Sequence, residues 1–109
     1  SAMSEAFAIG DLANIPRETL YSIMSAGPLH SGMMDFVKEQ AINKEIKLDF
    51  SVRNGLKDVG YYVNMVKNLG FQSDISAGTK STLLRAEENG WGDKMVPELV
   101  DYFSKSSSK

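Results

Sequence analysis

The sequence predicts an all-α fold, a single globular bundle of about five or six helices around one long central helix. Apolar residues recur at helical spacing along most of the chain, and Gly, Pro and Asn interrupt them without leaving a long linker. The 109 residues, 42% of them apolar, suit one domain with a modest core. Residues 46–50 alternate as a strand would, but this run is short and has no visible partner strand.

Three helices are predicted in the first half of the chain. Residues 4–11 contain the end of the first, which stops at Gly10, because glycine favours helix ends. Pro16 opens the second helix, which ends at residues 26–28, where the sequence is Ala-Gly-Pro. A third helical stretch follows from Ser31 to about Ile42.

The longest predicted helix runs from about Phe50 to Leu69 and stops at Gly70. Apolar residues are spaced along it by four, three, four and three positions, which predicts one buried stripe. The stripe consists of Val52, Leu56, Val59, Val63 and Val66. Because valine is a weak helix former, packing must hold this helix, and we expect it to be central.

Two further helices are predicted after Gly70. Ser73 and Asp74 can cap a helix that ends at Asn89-Gly90, and Pro97 begins a last short helix. One face of the first of these carries Ile75, Thr79, Leu83 and Ala86. The expected organisation is therefore a domain over residues 4–104, a tag remnant at residues 1–3 and a frayed tail at residues 105–109.

Charge and composition exclude several classes of function. The 12 basic and 14 acidic residues give a net charge of -2, which provides no electrostatic footprint for nucleic acid or an anionic membrane. No apolar run approaches the ~20 residues needed to cross a bilayer, and the chain has no cysteine for disulfide or thiolate chemistry. We therefore expect a cytoplasmic protein without nucleic-acid or membrane partners.

Few residues could carry catalysis. His30 is the only histidine and lies in a predicted loop, so a packing or surface role is favoured over a catalytic one, and no metal site is expected. No serine has the flanking glycines of a hydrolase nucleophile. The Gly90-Trp91-Gly92 run lacks the third glycine and the preceding strand of a dinucleotide-binding loop.

The face of the long helix opposite its valine stripe combines aromatic, cationic and amide groups. It consists of Phe50, Arg53, Lys57, Tyr61 and Asn64. Helix patterning alone favours a solvated surface. The functional alternative is a lining for an anionic ligand, because ammonium and guanidinium groups pair with carboxylate or phosphate while the rings exclude water.

Residues 50–60, Phe-Ser-Val-Arg-Asn-Gly-Leu-Lys-Asp-Val-Gly, resemble the Phe-x6-Lys-Asp-Leu-Gly segment of the 3-hydroxyisobutyrate dehydrogenase family. The flanking residues 5–27 and 66–103 are similar to the helices and the Gly-x-Gly-Asp turn on either side of that segment. Tyr62, Asn64 and Met95 depart from the family pattern. The chain is thus identified as similar to the helical C-terminal domain of these β-hydroxyacid dehydrogenases.

The resemblance implies roles for three residues. Lys57 would contact NAD or NADP, Asp58 would hold the local polar geometry, and Phe50 would border the substrate, a small β-hydroxyacid or semialdehyde. From helix geometry, Asp58 lies about 100° from Lys57, so we expect it to bond to neighbouring helices and leave the Lys57 ammonium unpaired. The face that carries Lys57 should form an open groove.

The resemblance also implies what this sequence does not contain. The family's catalytic lysine motif and its glycine-rich phosphate loop belong to other parts of the enzyme, so a Rossmann domain of the parent chain is the expected partner and this chain alone should be inactive. A homo-oligomer is also expected, because such a domain exposes apolar surface when separated. The rival interpretation is a stand-alone helical module that binds a partner protein.

Overall fold

Six α-helices make up most of residues 1–107, the part of the chain that the computed structural model describes. They are α1 (Ala2–Leu12), α2 (Arg17–Ser25), α3 (Gly32–Asn43), α4 (Val52–Asn68), α5 (Asp74–Ala86) and α6 (Leu99–Ser107). A kinked turn, Glu87–Trp91, follows α5, and a 3₁₀ turn, Val96–Glu98, precedes α6.

The predicted all-α fold is confirmed. Within residues 1–107 the only β-type pairing is an isolated one between Ser51 and Met95, so residues 46–50 do not form a strand. Residues 105–107 of the expected frayed tail continue α6, and residues 108–109 lie outside the described residues. None of the described helices is both long and apolar enough to span a bilayer.

The helices fall into two compact units. Unit 1 comprises Ser1–Asp49 together with the chain from Pro97 onward, and unit 2 comprises Phe50–Val96. In unit 1, α1 packs mainly against α6, with α2 and α3 beside them. In unit 2, α4 packs along α5 and against the turn that follows it.

The core of unit 1 joins three helices. Phe7 of α1, Val37 and Ala41 of α3 and Val100 of α6 form its buried cluster. These residues are 0–5% exposed, so burial of their side chains from water is the main force holding the unit together.

Gly10 does not end α1, contrary to the sequence prediction. A Cβ on this residue would lie 2.8 Å from Cδ2 of Leu20, so glycine allows the close approach of α2. The helix ends instead at Leu12, after which Asn14 takes a left-handed conformation with φ 60°. Gly10 therefore serves helix packing and does not terminate α1.

A polar network lies beside the core of unit 1. The Arg17 guanidinium donates to both carboxylate oxygens of Asp11, at 3.1 and 2.7 Å, and also to the carbonyl oxygen of Ala41. The hydroxyl of Ser104 donates to the same Asp11 carboxylate at 2.8 Å. Hydrogen bonding to Arg17 holds the pKa of Asp11 below its usual value. One arginine thereby connects α1, α2, α3 and α6.

The valine stripe of α4 faces inward, but its burial is uneven. Val52 and Val66 are buried, whereas Leu56, Val59 and Val63 are half-buried. The prediction that all five are buried together is therefore confirmed only in part. No member is exposed, which supports the assignment of this face as the packed side of the helix.

Candidate functional site

The three predicted site residues lie at the beginning of unit 2. Lys57 and Asp58 are exposed on α4, and Phe50 is half-buried just before the helix. The Ser51 hydroxyl accepts a hydrogen bond from the amide of Asn54 at 3.1 Å, so the helix begins at Val52 and Phe50 lies outside it. The segment that carries the family resemblance is therefore a capped helix start.

Lys57 has a free ammonium group. No carboxylate among residues 1–107 pairs with it. A solvent-exposed lysine without a partner retains its full capacity to pair with a phosphate or carboxylate from outside.

Asp58 does not behave as the sequence suggested. We expected its carboxylate to bond to neighbouring helices, and this is wrong, because no donor among residues 1–107 reaches it. Its position about 100° around the helix from Lys57 places it beside the space between α4 and α5, where the hydroxyls of Ser76 and Thr79 donate to backbone carbonyls and not to Asp58. The carboxylate is thus available to a ligand.

An open groove of about 570 Å³ runs between α4 and α5 next to Asp58. Its walls combine one carboxylate with two aromatic rings, aliphatic side chains and the hydroxyl groups of Tyr62, two serines and one threonine. The lining residues are Asp58, Val59, Tyr62, Phe71, Ser73, Ile75, Ser76 and Thr79. A mainly apolar cleft with a few polar groups is the usual form of a small-molecule site.

The groove lies on a different side of α4 from the one predicted. We expected it on the face of Lys57 and Tyr61, but its α4 wall is formed by Asp58, Val59 and Tyr62. Helix periodicity located the packed stripe, yet the groove depends on how α5 diverges from α4, which periodicity does not report. Ile75, which the sequence places on one helix face with Leu83 and Ala86, is 86% exposed and forms part of the groove wall.

Phe50 packs inside unit 2 rather than beside Lys57. A Cβ on the buried Gly55 would lie 3.5 Å from the Phe50 ring and equally close to Val96. The backbone also holds this position, because the Val96 amide donates to the Phe50 carbonyl oxygen at 2.7 Å. The ring therefore covers the first turn of α4 and is half-exposed at the edge of the unit.

Arg53 is not a free cation. Its Nε donates to Oε1 of Glu87 at 3.0 Å, and its Nη1 donates to Oδ1 of Asp93. Hydrogen bonding to Glu87, and then to Asp93, raises the pKa of Arg53 above its ordinary value. The five-residue face predicted on α4 thus divides, because Arg53 is neutralised by carboxylates while Lys57, Tyr61 and Asn64 face solvent.

His30 belongs to a small polar cluster in unit 1. Its Nε2 lies 3.2 Å from Oδ1 of Asp35 and 3.4 Å from the Tyr21 hydroxyl, which donates to the same carboxylate. The hydrogen bond to Asp35 raises the pKa of Tyr21 to about 12. Within the described residues, no three His, Cys, Asp or Glu side chains gather in a way that could hold a metal ion.

Comparisons with known proteins place this geometry in context. The family described as NAD-binding of NADP-dependent 3-hydroxyisobutyrate dehydrogenase matches residues 1–103. Among solved structures, 3-hydroxyisobutyrate dehydrogenase from Salmonella typhimurium superposes with a TM-score of 0.83 over 93% of this chain at 20% identity, which shows a shared fold. This chain spans 35% of that enzyme. The search of curated proteins gave no match.

Proposed function

This chain belongs to the family of NAD-binding domains of NADP-dependent 3-hydroxyisobutyrate dehydrogenases, and on that basis we propose that it is the C-terminal domain of a β-hydroxyacid dehydrogenase. In the parent enzyme it closes over the nicotinamide end of NAD or NADP. The substrate is a small β-hydroxyacid or the corresponding semialdehyde. The cofactor supplies or accepts the hydride, and the residues of this chain bind and orient.

The single observation that carries the proposal is the state of Lys57 and Asp58. In the Lys-Asp pair of the family-like segment, both side chains are exposed and neither is engaged by another group among residues 1–107. Salt bridges to neighbouring residues would occupy these two groups, and none is formed among residues 1–107. Two adjacent free charges of opposite sign suit a ligand that carries both an anionic and a cationic group.

The groups present fit a nicotinamide dinucleotide in part. The Lys57 ammonium can pair with a phosphate or with the substrate carboxylate, and the oxidised nicotinamide ring is a flat cation that suits the Asp58 carboxylate and the rings of Tyr62 and Phe71. Phe50, half-exposed at the helix start, borders the substrate in this proposal. The sequence has no glycine-rich loop for the diphosphate, which another domain must provide.

The proposal also includes a partner for the apolar surface of unit 2. Leu69, Phe71 and Ile75 are 77%, 65% and 86% exposed. Large apolar side chains at this level of exposure are typical of surfaces that another domain or subunit covers. We propose that the Rossmann domain of the parent chain or a second subunit of a homo-oligomer covers them.

The same exposed surface favours one alternative, a stand-alone helical module whose groove binds a partner protein. The gene decides between the two. A sequence upstream of Ser4 that encodes a β-α-β unit with Gly-x-Gly-x-x-Gly supports the dehydrogenase, and a gene without one supports the module.

The proposal is tested by Lys57→Ala in the parent enzyme. If Lys57 contacts cofactor or substrate, kcat/KM should fall by at least about tenfold, equivalent to ~1.4 kcal/mol, with the melting temperature unchanged. Lys67→Ala is the matched control, because Lys67 is also exposed on α4 but lies in its last turn. Equal kcat/KM in the wild type and Lys57→Ala would remove the site assignment.

A second measurement concerns the chain by itself. Calorimetric titration of NAD⁺ and NADP⁺ into the 109-residue protein should show weak or unmeasurable binding, because the phosphates of the dinucleotide find no cradle here. Binding with a micromolar Kd would contradict the proposed division of labour between two domains.

A further inference from the structure

Arg53 lies one helical turn before Lys57, and we propose that it is a positioning residue that fixes the start of α4 and the orientation of Phe50 and Lys57. This inference rests on the proposed function, since it concerns how the same site is held. We define the anchor as residues 50–53 together with the turn of residues 92–96 that they contact.

The backbone of the anchor is held by three hydrogen bonds. The amide of Val52 donates to the Lys94 carbonyl at 2.8 Å, and the amide of Arg53 donates to the Gly92 carbonyl at 2.9 Å. In the opposite direction, the Val96 amide donates to the Phe50 carbonyl at 2.7 Å. The first amides of a helix have no partner within the helix, so these bonds also satisfy two of the exposed donors of α4.

The Arg53 side chain closes the anchor from outside. Its guanidinium bridges Glu87, at the end of α5, and Asp93, in the turn, so one planar fork connects three segments. Gly92 leaves room for it, because a Cβ there would lie 2.7 Å from Nη2 of Arg53 and 3.1 Å from Cγ of Glu87 and would displace these side chains. Gly92 and Asp93 therefore act together with Arg53, which contacts both residues and holds the turn against the start of α4.

The anchor determines where the proposed ligand contacts lie. Phe50 is bonded to the turn through its own carbonyl, and Lys57 follows Arg53 by four residues on the rigid helix. If the turn separates from the helix start, the Phe50 ring loses its fixed position and the first turn of α4 can fray. Arg53 would thus act on the site through the backbone, without touching a ligand.

The size of the effect decides which measurement can detect it. The side chain of Arg53 is 55% exposed, and an ion pair at this exposure changes global stability little. Local opening of a few residues is more sensitive, because its free energy is a small part of the global value. Hydrogen exchange of single amides therefore reports the anchor better than a melting temperature does.

The experiment is amide hydrogen exchange, followed by NMR, on the 109-residue protein with Arg53→Gln. The amides of residues 52, 53 and 96 should exchange about three to ten times faster than in the wild type. Arg85→Gln is the matched control, because Arg85 is exposed in unit 2 and its side chain has no partner among residues 1–107. It should leave the exchange of all three amides unchanged.

Two further measurements distinguish the positioning role of Arg53 from a purely structural one. The amides of Val37 and Val100 in unit 1 should keep their wild-type exchange rates, and the ring resonances of Phe50 should shift in Arg53→Gln but not in Arg85→Gln. Uniformly faster exchange, or unchanged resonances of Phe50, would overturn the positioning role.

Two milder variants cover the case in which Arg53→Gln does not fold. Glu87→Gln and Asp93→Asn each remove one carboxylate and should accelerate exchange at the same three amides, and no acceleration in either would overturn the inference. None of these measurements involves a cofactor. An inactive parent enzyme would therefore refute the proposed function while the exchange data still report on the anchor.

Discussion

Unit 1 and unit 2 each use an arginine to join separate segments, but at different depths. The Arg17 side chain is 20% exposed and its partner Asp11 is 32% exposed, whereas Arg53 is 55% and Asp93 is 87% exposed. Removing water strengthens an ion pair but makes loss of one partner costly, because the other is left unpaired. We therefore expect Arg17 to matter for global stability and Arg53 for local order.

Both units combine fully buried apolar side chains with exposed ones. Unit 1 encloses Phe7 completely but leaves Leu29 86% exposed, and unit 2 encloses Val52 completely but leaves Ile75 86% exposed. An exposed apolar groove contributes nothing to folding in the isolated chain. In unit 2 the exposed apolar residues Phe71 and Ile75 line the groove beside Asp58.

The largest expected difference between the units comes from a buried and an exposed phenylalanine. Phe7→Ala should destabilise the protein by about 3 to 5 kcal/mol, because Phe7 is fully buried and its loss leaves a cavity. Phe71→Ala is the control and should change stability by less than about 0.5 kcal/mol, because that ring is 65% exposed. Urea denaturation followed by circular dichroism measures both. Equal costs would show that the groove of unit 2 is packed in solution.

A smaller effect is expected from Arg17→Met, which keeps the aliphatic stem and removes the guanidinium. We expect a loss of about 2 kcal/mol at neutral pH, because the carboxylate of Asp11 and the carbonyl of Ala41 lose their donor in a half-buried site. Urea denaturation again provides the measurement.

The pH dependence of this loss identifies its cause. Because the pKa of Asp11 is lowered in the folded protein, its ion pair stabilises the fold above the unfolded pKa of about 3.9, and this stabilisation disappears as the pH falls through the folded value. The difference between wild type and Arg17→Met should therefore be full near pH 7 and shrink below about pH 4. A difference that stays constant with pH would assign the loss to packing instead.

The sequence predicted the elements of both units well because helix ends have local chemical causes. Ser31, Ser51 and Ser73 each accept a hydrogen bond at the start of a helix, and Gly90, with φ 89°, ends the helical course after α5. Glycine did not mark a helix end at Gly10, because Gly10 instead allows close contact with another helix. A close approach of two helices is a tertiary property that no local pattern contains.

The candidate site was predictable only in part, for a related reason. The resemblance pointed to Lys57 and Asp58, and both side chains are exposed on α4 in the described chain. The engagement of Arg53 by Glu87 and Asp93 was missed, because the residues are 34 and 40 positions apart. The groove was missed because it depends on the angle between two helices.

The smallest expected effect uses a glycine to compare the outer surface of unit 2 with its anchor. Gly78 lies in the interior of α5, is exposed, and an added Cβ there would meet no atom within 4 Å. Gly78→Ala should therefore stabilise the protein by about 0.5 to 1 kcal/mol, because alanine has less freedom to lose on forming a helix.

Gly92→Ala is the counterpart of this change, because its Cβ would lie 2.7 Å from Nη2 of Arg53. We expect it to lower stability or displace the guanidinium, although the chemical change is identical. Midpoints of urea denaturation for the two variants should thus move in opposite directions from the wild type. If both Gly78→Ala and Gly92→Ala stabilise the protein, the Arg53 guanidinium can move aside without loss of stability. Backbone hydrogen bonds alone would then hold the start of α4.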